Sequence, residues 1–118
     1  MSDKRILVTG LALLALVGCA NDPVPNEQMR LTEQAVEQAR AIGATDEIGE
    51  MQLAEQKLAR AQKNMGEEDY KRARVLAEQA ELDARLAEAR VLTRKSEEQL
   101  AELNARITRL RKQLGDMQ

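Results

Sequence analysis

The sequence predicts an all-α protein, either an antiparallel helical hairpin or a three-helix coiled-coil bundle with a long C-terminal helix. Three observations predict it. Beyond residue 25, the chain is dominated by alanine, glutamate, glutamine, leucine, lysine and arginine, which all favour helix. Apolar residues recur at spacings of three and four, the period of one helical face. Glycines stand where these periodic segments end and divide them into three helices.

The first helix is expected to begin at Asn26, because asparagine caps helix N-termini well. Gly43 is expected to be its C-cap, since a left-handed residue there is most often glycine. The stretch 44–49 then breaks the helix, and either Thr45 or Asp46 is available to cap the helix that follows.

The second helix is predicted from apolar residues at spacings of three and four, and Gly66 is expected to end it. Those residues are Met51, Ala54, Leu58, Ala61 and Met65. The third helix is expected to run from about Glu67 to Leu114, which corresponds to roughly 70 Å at 1.5 Å per residue.

Two apolar stripes follow different faces of the third helix. The alanine stripe consists of Tyr70, Ala73, Ala77, Ala80, Ala84, Ala87 and Val91. A second run begins at Leu82 and ends in the leucine stripe, which consists of Leu100, Leu103, Ile107, Leu110 and Leu114. Alanine buries little area, so the alanine stripe is useful only where another helix approaches closely. It is therefore predicted to pack inside the molecule.

The expected packing folds helix 2 back along the start of helix 3 at Gly66, while helix 1 covers the next portion, towards Val91. Two alternatives remain for the leucine stripe. Helices 1 and 2 could form one long arm that covers most of it as core. Otherwise it is an interaction face for another chain, since leucines at heptad a and d positions with charged flanks are typical of such faces.

Four basic residues follow Glu102 in the same segment, with no acidic residue among them: Arg106, Arg109, Arg111 and Lys112. Cations near a helix C-terminus offset the macrodipole, and this explanation alone suffices. The alternative is contact with anionic lipopolysaccharide, phospholipid headgroups or peptidoglycan carboxylates.

The composition argues against an enzyme. The chain has no histidine, tryptophan or phenylalanine, and it has one cysteine and one tyrosine. Histidine is the usual general base and metal ligand, and aromatic side chains usually line small-molecule pockets. We therefore expect no catalytic residues, metal site, cofactor or small-molecule substrate. A formal net charge of −2 gives no reason to expect nucleic-acid binding.

The N-terminus has the pattern of a cleaved export signal. Lys4 and Arg5 precede an apolar run over residues 6–17, which is shorter than the roughly 20 residues that span a bilayer. The run leads into Leu16, Val17, Gly18 and Cys19, the only cysteine of the chain.

This motif resembles the lipobox of bacterial lipoproteins. The resemblance implies cleavage before Cys19 and acylation of its thiol and new amino terminus, which would tether the protein to a membrane without spanning it. An aspartate after the cysteine would favour the inner membrane, and Ala20 stands there instead. The expected location is the outer membrane, facing the periplasm.

The whole layout resembles an uncharacterised family of alanine-rich helical lipoproteins with a domain of unknown function, some of which carry a peptidoglycan-binding domain of the outer-membrane-protein-A type. The segments that carry this likeness include Gln34-Ala35-x3-Ala39-x3-Gly43-Ala44 and Asp69-Tyr70-x2-Ala73-x3-Ala77.

The expected organisation is a signal peptide over 1–18, a lipidated tether over 19–25, a helical domain over 26–114 and a tail over 115–118. The expected function is structural or scaffolding in the cell envelope, with a second copy or another envelope protein as partner. The alternatives are an accessory or chaperone-like subunit of a larger envelope assembly or secretion complex, and a non-covalent peptidoglycan binder.

Overall fold

The structure, a computed structural model, describes residues 22–117 and is built from three α-helices. Helix α1 is Asn26–Ala41, α2 is Gly49–Gly66 and α3 is Tyr70–Asp116. The predicted all-α class, the three helices and the long C-terminal helix are confirmed.

The N-cap of helix α1 lies one residue earlier than expected. Pro25 is the N-cap and its carbonyl accepts from the amide of Met29, so Asn26 is the first helical residue rather than the cap. The C-terminal prediction is correct. Gly43 has φ +103°. Its amide donates to the carbonyl of Arg40, and the amide of Ala44 donates to the carbonyl of Ala39. This is the Schellman arrangement.

Helix α2 ends at Gly66, as expected, but it begins without the side-chain cap that we expected. Its N-cap is Ile48, which has no side-chain cap, so neither Thr45 nor Asp46 caps it. After Gly66 the left-handed residue of the turn is Glu68, with φ 60°. The amide of Asp69 closes this turn onto the carbonyl of Asn64, and its carboxylate accepts from the amide of Arg72 as the cap of α3.

The helices α1 and α2 run antiparallel to each other. Near the end of α1, Arg40 forms an ion pair with Glu55 at 2.5 Å. Near its middle, Glu33 accepts a hydrogen bond from the Gln62 amide, close to the far end of α2. The left-handed turn at Gly43 therefore reverses the chain, and the idea that helices 1 and 2 form one long arm is wrong.

Both short helices lie against the same half of α3. Helix α2 is antiparallel to α3, with ion pairs Lys57–Asp83 at 2.6 Å and Glu50–Arg90 at 2.7 Å. Helix α1 is parallel to α3. Just before α1, the carbonyl of Pro23 accepts a hydrogen bond from the Arg74 guanidinium. Just after α1, the carbonyl of Ile42 accepts one from the Lys95 ammonium. The expected succession, with helix 1 covering the portion beyond helix 2, is therefore incorrect.

The alanine stripe forms the core, as predicted. Its five alanines are fully buried, Val91 is 1% exposed, and Tyr70 is half-buried at the turn. Small residues let the backbones approach closely: the hydroxyl of Thr32 on α1 lies 2.9 Å from the carbonyl oxygen of Ala77 on α3. Met51 on α2 is the largest fully buried side chain.

Val91 is the last buried residue of the third helix. We call residues 92–116 the arm, and every residue of the arm is exposed. The arm is about 37 Å long at 1.5 Å per residue, and its first residues still lie beside the bundle, where the Lys95 ammonium donates to the carbonyl of Ile42. Within residues 22–117, no helix is long and apolar enough to cross a membrane.

Candidate interaction surface on the arm

The arm is an uninterrupted part of α3, so its side chains keep strict helical positions. The leucine stripe stays on one face of the arm, with exposures between 39% at Ile107 and 61% at Leu114. The structure thus removes the alternative in which the leucine stripe belongs to the core of one chain. Five large aliphatic side chains in solvent on one helical face form a contiguous apolar patch, which is typical of interaction sites.

The leucine stripe and the alanine stripe lie on opposite faces of α3. At 3.6 residues per turn, the run that starts at Leu82 and Leu86 is about half a turn around the helix from Ala84 and Val91. Leu82 and Leu86 are accordingly exposed, although they lie beside the bundle. The leucine stripe is therefore accessible along its whole length and is not obstructed by α1 or α2.

The exposed run follows a heptad pattern, with Leu100, Ile107 and Leu114 at a positions and Leu103 and Leu110 at d positions. Thr93 and Ser96 occupy the preceding a and d positions. These two polar residues separate the leucine stripe from the apolar residues nearer the bundle. The part of the arm best suited to apolar contact is thus residues 100–114.

Charge is distributed unevenly along the arm. Its first part carries Glu97, Glu98 and Glu102 after Arg94 and Lys95, and its second part carries the predicted basic patch, Arg106, Arg109, Arg111 and Lys112, before Asp116. One ion pair joins the two parts, since the guanidinium of Arg106 contacts the carboxylate of Glu102 one turn earlier. Arg106 and Arg111 flank the leucine stripe at g and e positions, whereas Arg109 and Lys112 lie on the outward face.

A cleft of about 500 Å³ lies where the arm leaves the bundle. Its walls come from the start of α2 and from the exposed side of α3, and they include Ile48, Glu50, Ala89, Thr93, Arg94 and Glu97. Sequence reasoning missed this cleft, because it depends on α2 beginning beside residue 90, and no sequence signal announced the Glu50–Arg90 pair.

The chain enters at the opposite end of the bundle from the arm. Asp22 lies beside the α2–α3 turn, in a shallow surface depression that it shares with Glu68 and Tyr70. Pro25 is buried, and the Pro23 carbonyl accepts from Arg74. The predicted lipidation site Cys19 and the rest of its motif, Leu16, Val17 and Gly18, lie outside the described residues.

The carboxylates at the start of α3 and along it cap the helix, form ion pairs or are exposed. Asp69 caps the helix and Glu81 is held by Gln28 and Arg85, while Glu97 and Glu98 are exposed on the arm. Among residues 22–117, no group of three histidine, cysteine, aspartate or glutamate side chains could hold a metal ion. The surface that distinguishes this protein is therefore an apolar and charged helical face.

Comparisons with known proteins agree with this fold. A family profile described as a domain of unknown function, DUF4398, matches residues 27–103. The chain is similar to a DUF4398 family protein from Pseudomonas aeruginosa PAO1 whose crystal structure has been solved. The two are 64% identical with a TM-score of 0.79, over 81% of this chain and 100% of that chain. A search of curated proteins gave no match.

Proposed function

The chain belongs to the DUF4398 family, and from that premise we propose that it is a lipid-anchored scaffolding protein of the bacterial envelope that acts through its arm. Cys19 holds one end of the molecule in a membrane. The compact bundle sets the arm at a distance from that membrane, and the leucine stripe binds a protein partner.

The single observation that carries this proposal is the exposure of the leucine stripe on the part of α3 that extends beyond α1 and α2. Leaving large aliphatic side chains in water has no benefit for one chain, since each fully buried leucine would contribute about 1.5 to 3 kcal/mol. Patches of this kind on soluble domains mark interaction sites.

The geometry of the two ends supports a tethering role. The described chain starts beside the α2–α3 turn, whereas the arm leaves the other end of the bundle. Along α3, Tyr70 and Asp116 are about 70 Å apart at 1.5 Å per residue. A contact face at that distance from the anchor suits a link between a membrane and a structure away from it.

The proposed location is the periplasmic face of the outer membrane. The lipobox-like motif and Ala20 after the cysteine are the reasons for it. Replacement of Cys19 by serine tests the anchor. The Cys19→Ser chain is expected to keep the helical content of the wild type and to move from the membrane pellet to the soluble fraction after cell breakage. Continued sedimentation with the membranes would contradict lipid anchoring.

The arm is tested by a photo-cross-linking amino acid at Leu103 in the full-length protein in intact bacterial cells. We expect a protein adduct at this position. The matched control is Glu98, which lies one turn earlier but on the outward face, and which should give none. Equal adducts at both positions, or none at Leu103, would overturn the proposed contact face.

A different envelope protein captured at Leu103 would place the chain as an accessory subunit of a larger assembly. Peptidoglycan as the partner has a separate signature, because the full-length protein would then sediment with purified cell wall at physiological salt without a protein adduct at Leu103.

A further inference from the structure

The charge and apolar patterns of the arm identify its partner more narrowly. We propose that a second copy of this chain covers the leucine stripe, and that the two arms pair antiparallel around a two-fold axis near Ala105. This inference rests on the proposed function, because it names the partner of the same surface.

The charges on the arm favour an antiparallel pair. In a parallel pair the basic patch of one arm would lie beside the basic patch of the other, and the g position Arg106 would face the e position Arg111 on both sides. Such like-charge contacts oppose association. In an antiparallel pair, Arg111 instead lies beside Glu97 of the second copy.

One antiparallel register satisfies the apolar and the charged positions together. With the axis near Ala105, Leu100 lies opposite Leu110 and Leu103 lies opposite Ile107, each twice by symmetry. The same register sets Glu97 beside Arg111 at both ends, since e positions flank e positions in antiparallel coiled coils. At the two-fold axis, Arg106 lies opposite Arg106 of the second copy. Each of these charges is paired with Glu102 of its own chain.

The bundle leaves room for this pairing. The run from Leu86 to the leucine stripe lies on the exposed side of α3, so the second arm can pass along it until its tip reaches the cleft beside the start of α2. In the proposed register, Leu114 of the second copy reaches Ser96 and its Met117 reaches Thr93. Thr93 lines the cleft at the base of the arm. Met117, 79% exposed in one chain, would thereby gain a site.

The length of the overlap is sufficient for a weak, specific pair. Residues 93–117 of each chain would overlap, which is about three and a half heptads, close to the shortest run that signals a coiled coil. The polar a and d positions Thr93 and Ser96 limit its strength.

Cross-linking with positional mapping distinguishes the two orientations. A photo-cross-linking residue at Gln99, a g position, is expected to attach to the second copy close to Gln113, in the tryptic peptide after Lys112. A parallel pair would instead give attachment near Asn104. The control, again Glu98 on the outward face, should give no adduct with a second copy. Mixed isotope-labelled and unlabelled chains separate adducts between copies from those within one chain.

Charge exchange gives a second test, measured as the dimer dissociation constant of the full-length protein in detergent by sedimentation equilibrium. Arg111→Glu is expected to weaken the dimer about tenfold, because it faces Glu97 twice in the antiparallel pair. Adding Glu97→Arg should restore the wild-type value. In a parallel pair, Arg111→Glu would tighten the dimer, since it would then face Arg106. The exposed, outward Lys112→Glu is the matched control and should change the dissociation constant by less than about threefold.

Attachment near Asn104 or tighter binding by Arg111→Glu would overturn the antiparallel register. An adduct at Leu103 with a different protein, without any between copies, would overturn self-pairing while the proposed contact function stands. Absence of every adduct would remove both.

Discussion

The two halves of α3 make opposite use of hydrophobic residues. Between Ala73 and Val91 the helix presents small side chains and buries them completely. Between Leu100 and Leu114 it presents large side chains and leaves them in solvent. Burial here follows the position of the partner helices rather than the size of the side chain. The half with less apolar area is the stable core, and the half with more is the surface left for contact.

This difference comes from how closely helices can approach. The two short helices pack against the part of α3 where its side chains are small, and on α1 the short side chain of Thr32 reaches the Ala77 carbonyl directly. Small residues let the helix axes lie close together, so that many atoms of the two helices gain dispersion contacts. A layer of leucines would make such contacts with the axes further apart. The bundle is therefore specific for its own three helices.

The largest expected difference between the halves is the response to truncation. Met51→Ala removes the largest buried side chain and should lower the unfolding free energy by about 2 to 5 kcal/mol. Leu110→Ala, on the arm, should change it by less than about 0.5 kcal/mol when the chain is monomeric. Urea denaturation followed by circular dichroism at low protein concentration measures both. Equal losses would show that the arm packs within one chain.

A smaller effect is expected from enlargement. Ala80→Leu introduces three carbon atoms into a fully buried position between helices and should cost about 1 to 3 kcal/mol. Ala101→Leu makes the same change on the exposed arm and should be neutral within about 0.5 kcal/mol. The comparison is made on melting temperatures. An unchanged melting temperature for Ala80→Leu would mean that the alanine stripe faces solvent.

The smallest effect concerns two glutamates that each pair with an arginine one turn later. Glu81 also accepts a hydrogen bond from Gln28 on α1 at 2.7 Å. That bond, together with Arg85, lowers the pKa of Glu81 below its ordinary value of 4.5. The folded state thus favours the charged form. The resulting stabilisation is complete above the ordinary pKa and is lost as the pH falls through the lowered one.

Glu81→Gln should therefore cost less than about 1 kcal/mol at neutral pH. It should also make the unfolding free energy fall less steeply as the solution is acidified below pH 4.5. Glu102→Gln, which removes only the exposed pair with Arg106, should change stability by at most a few tenths of a kcal/mol. Chemical denaturation across this pH range checks both variants. An identical acid response for Glu81→Gln and the wild type would refute the role assigned to Gln28.

Much of the fold could be predicted from local patterns. Spacings of three and four located the helices and the alanine stripe, and Gly43 marked the end of α1, because these signals arise within a few residues of one another. The starts of α2 and α3 were missed. Ile48 has no side-chain acceptor for a cap, and a glutamate at positive φ, as at Glu68, is uncommon.

The exposure of the leucine stripe could not be deduced from its own residues. It depends on whether the chain continues straight after Ile42 or turns back, and a glycine C-cap says that a helix ends without saying where the next one goes. Helix α2 turns back because its buried residues, among them Met51, pack in one core cluster with residues of α1 and α3. The pairs Arg40–Glu55 and Lys57–Asp83 join it to the same two neighbours. The sequence shows that acidic residues precede basic ones along the arm. The importance of this order for a partner becomes clear only when the structure shows that the arm is exposed.

The parallel course of α1 and α3 has a mechanical consequence. The chain enters beside the α2–α3 turn and the arm leaves at the far end, so tension applied between the two ends pulls α1 and α3 in opposite directions along their common axis. Such a load is shared at once by contacts from Pro23–Arg74 to Ile42–Lys95, rather than opening them one at a time. The bundle is thus arranged to resist force in shear, the geometry in which a short helical domain can hold two cellular structures together as they move.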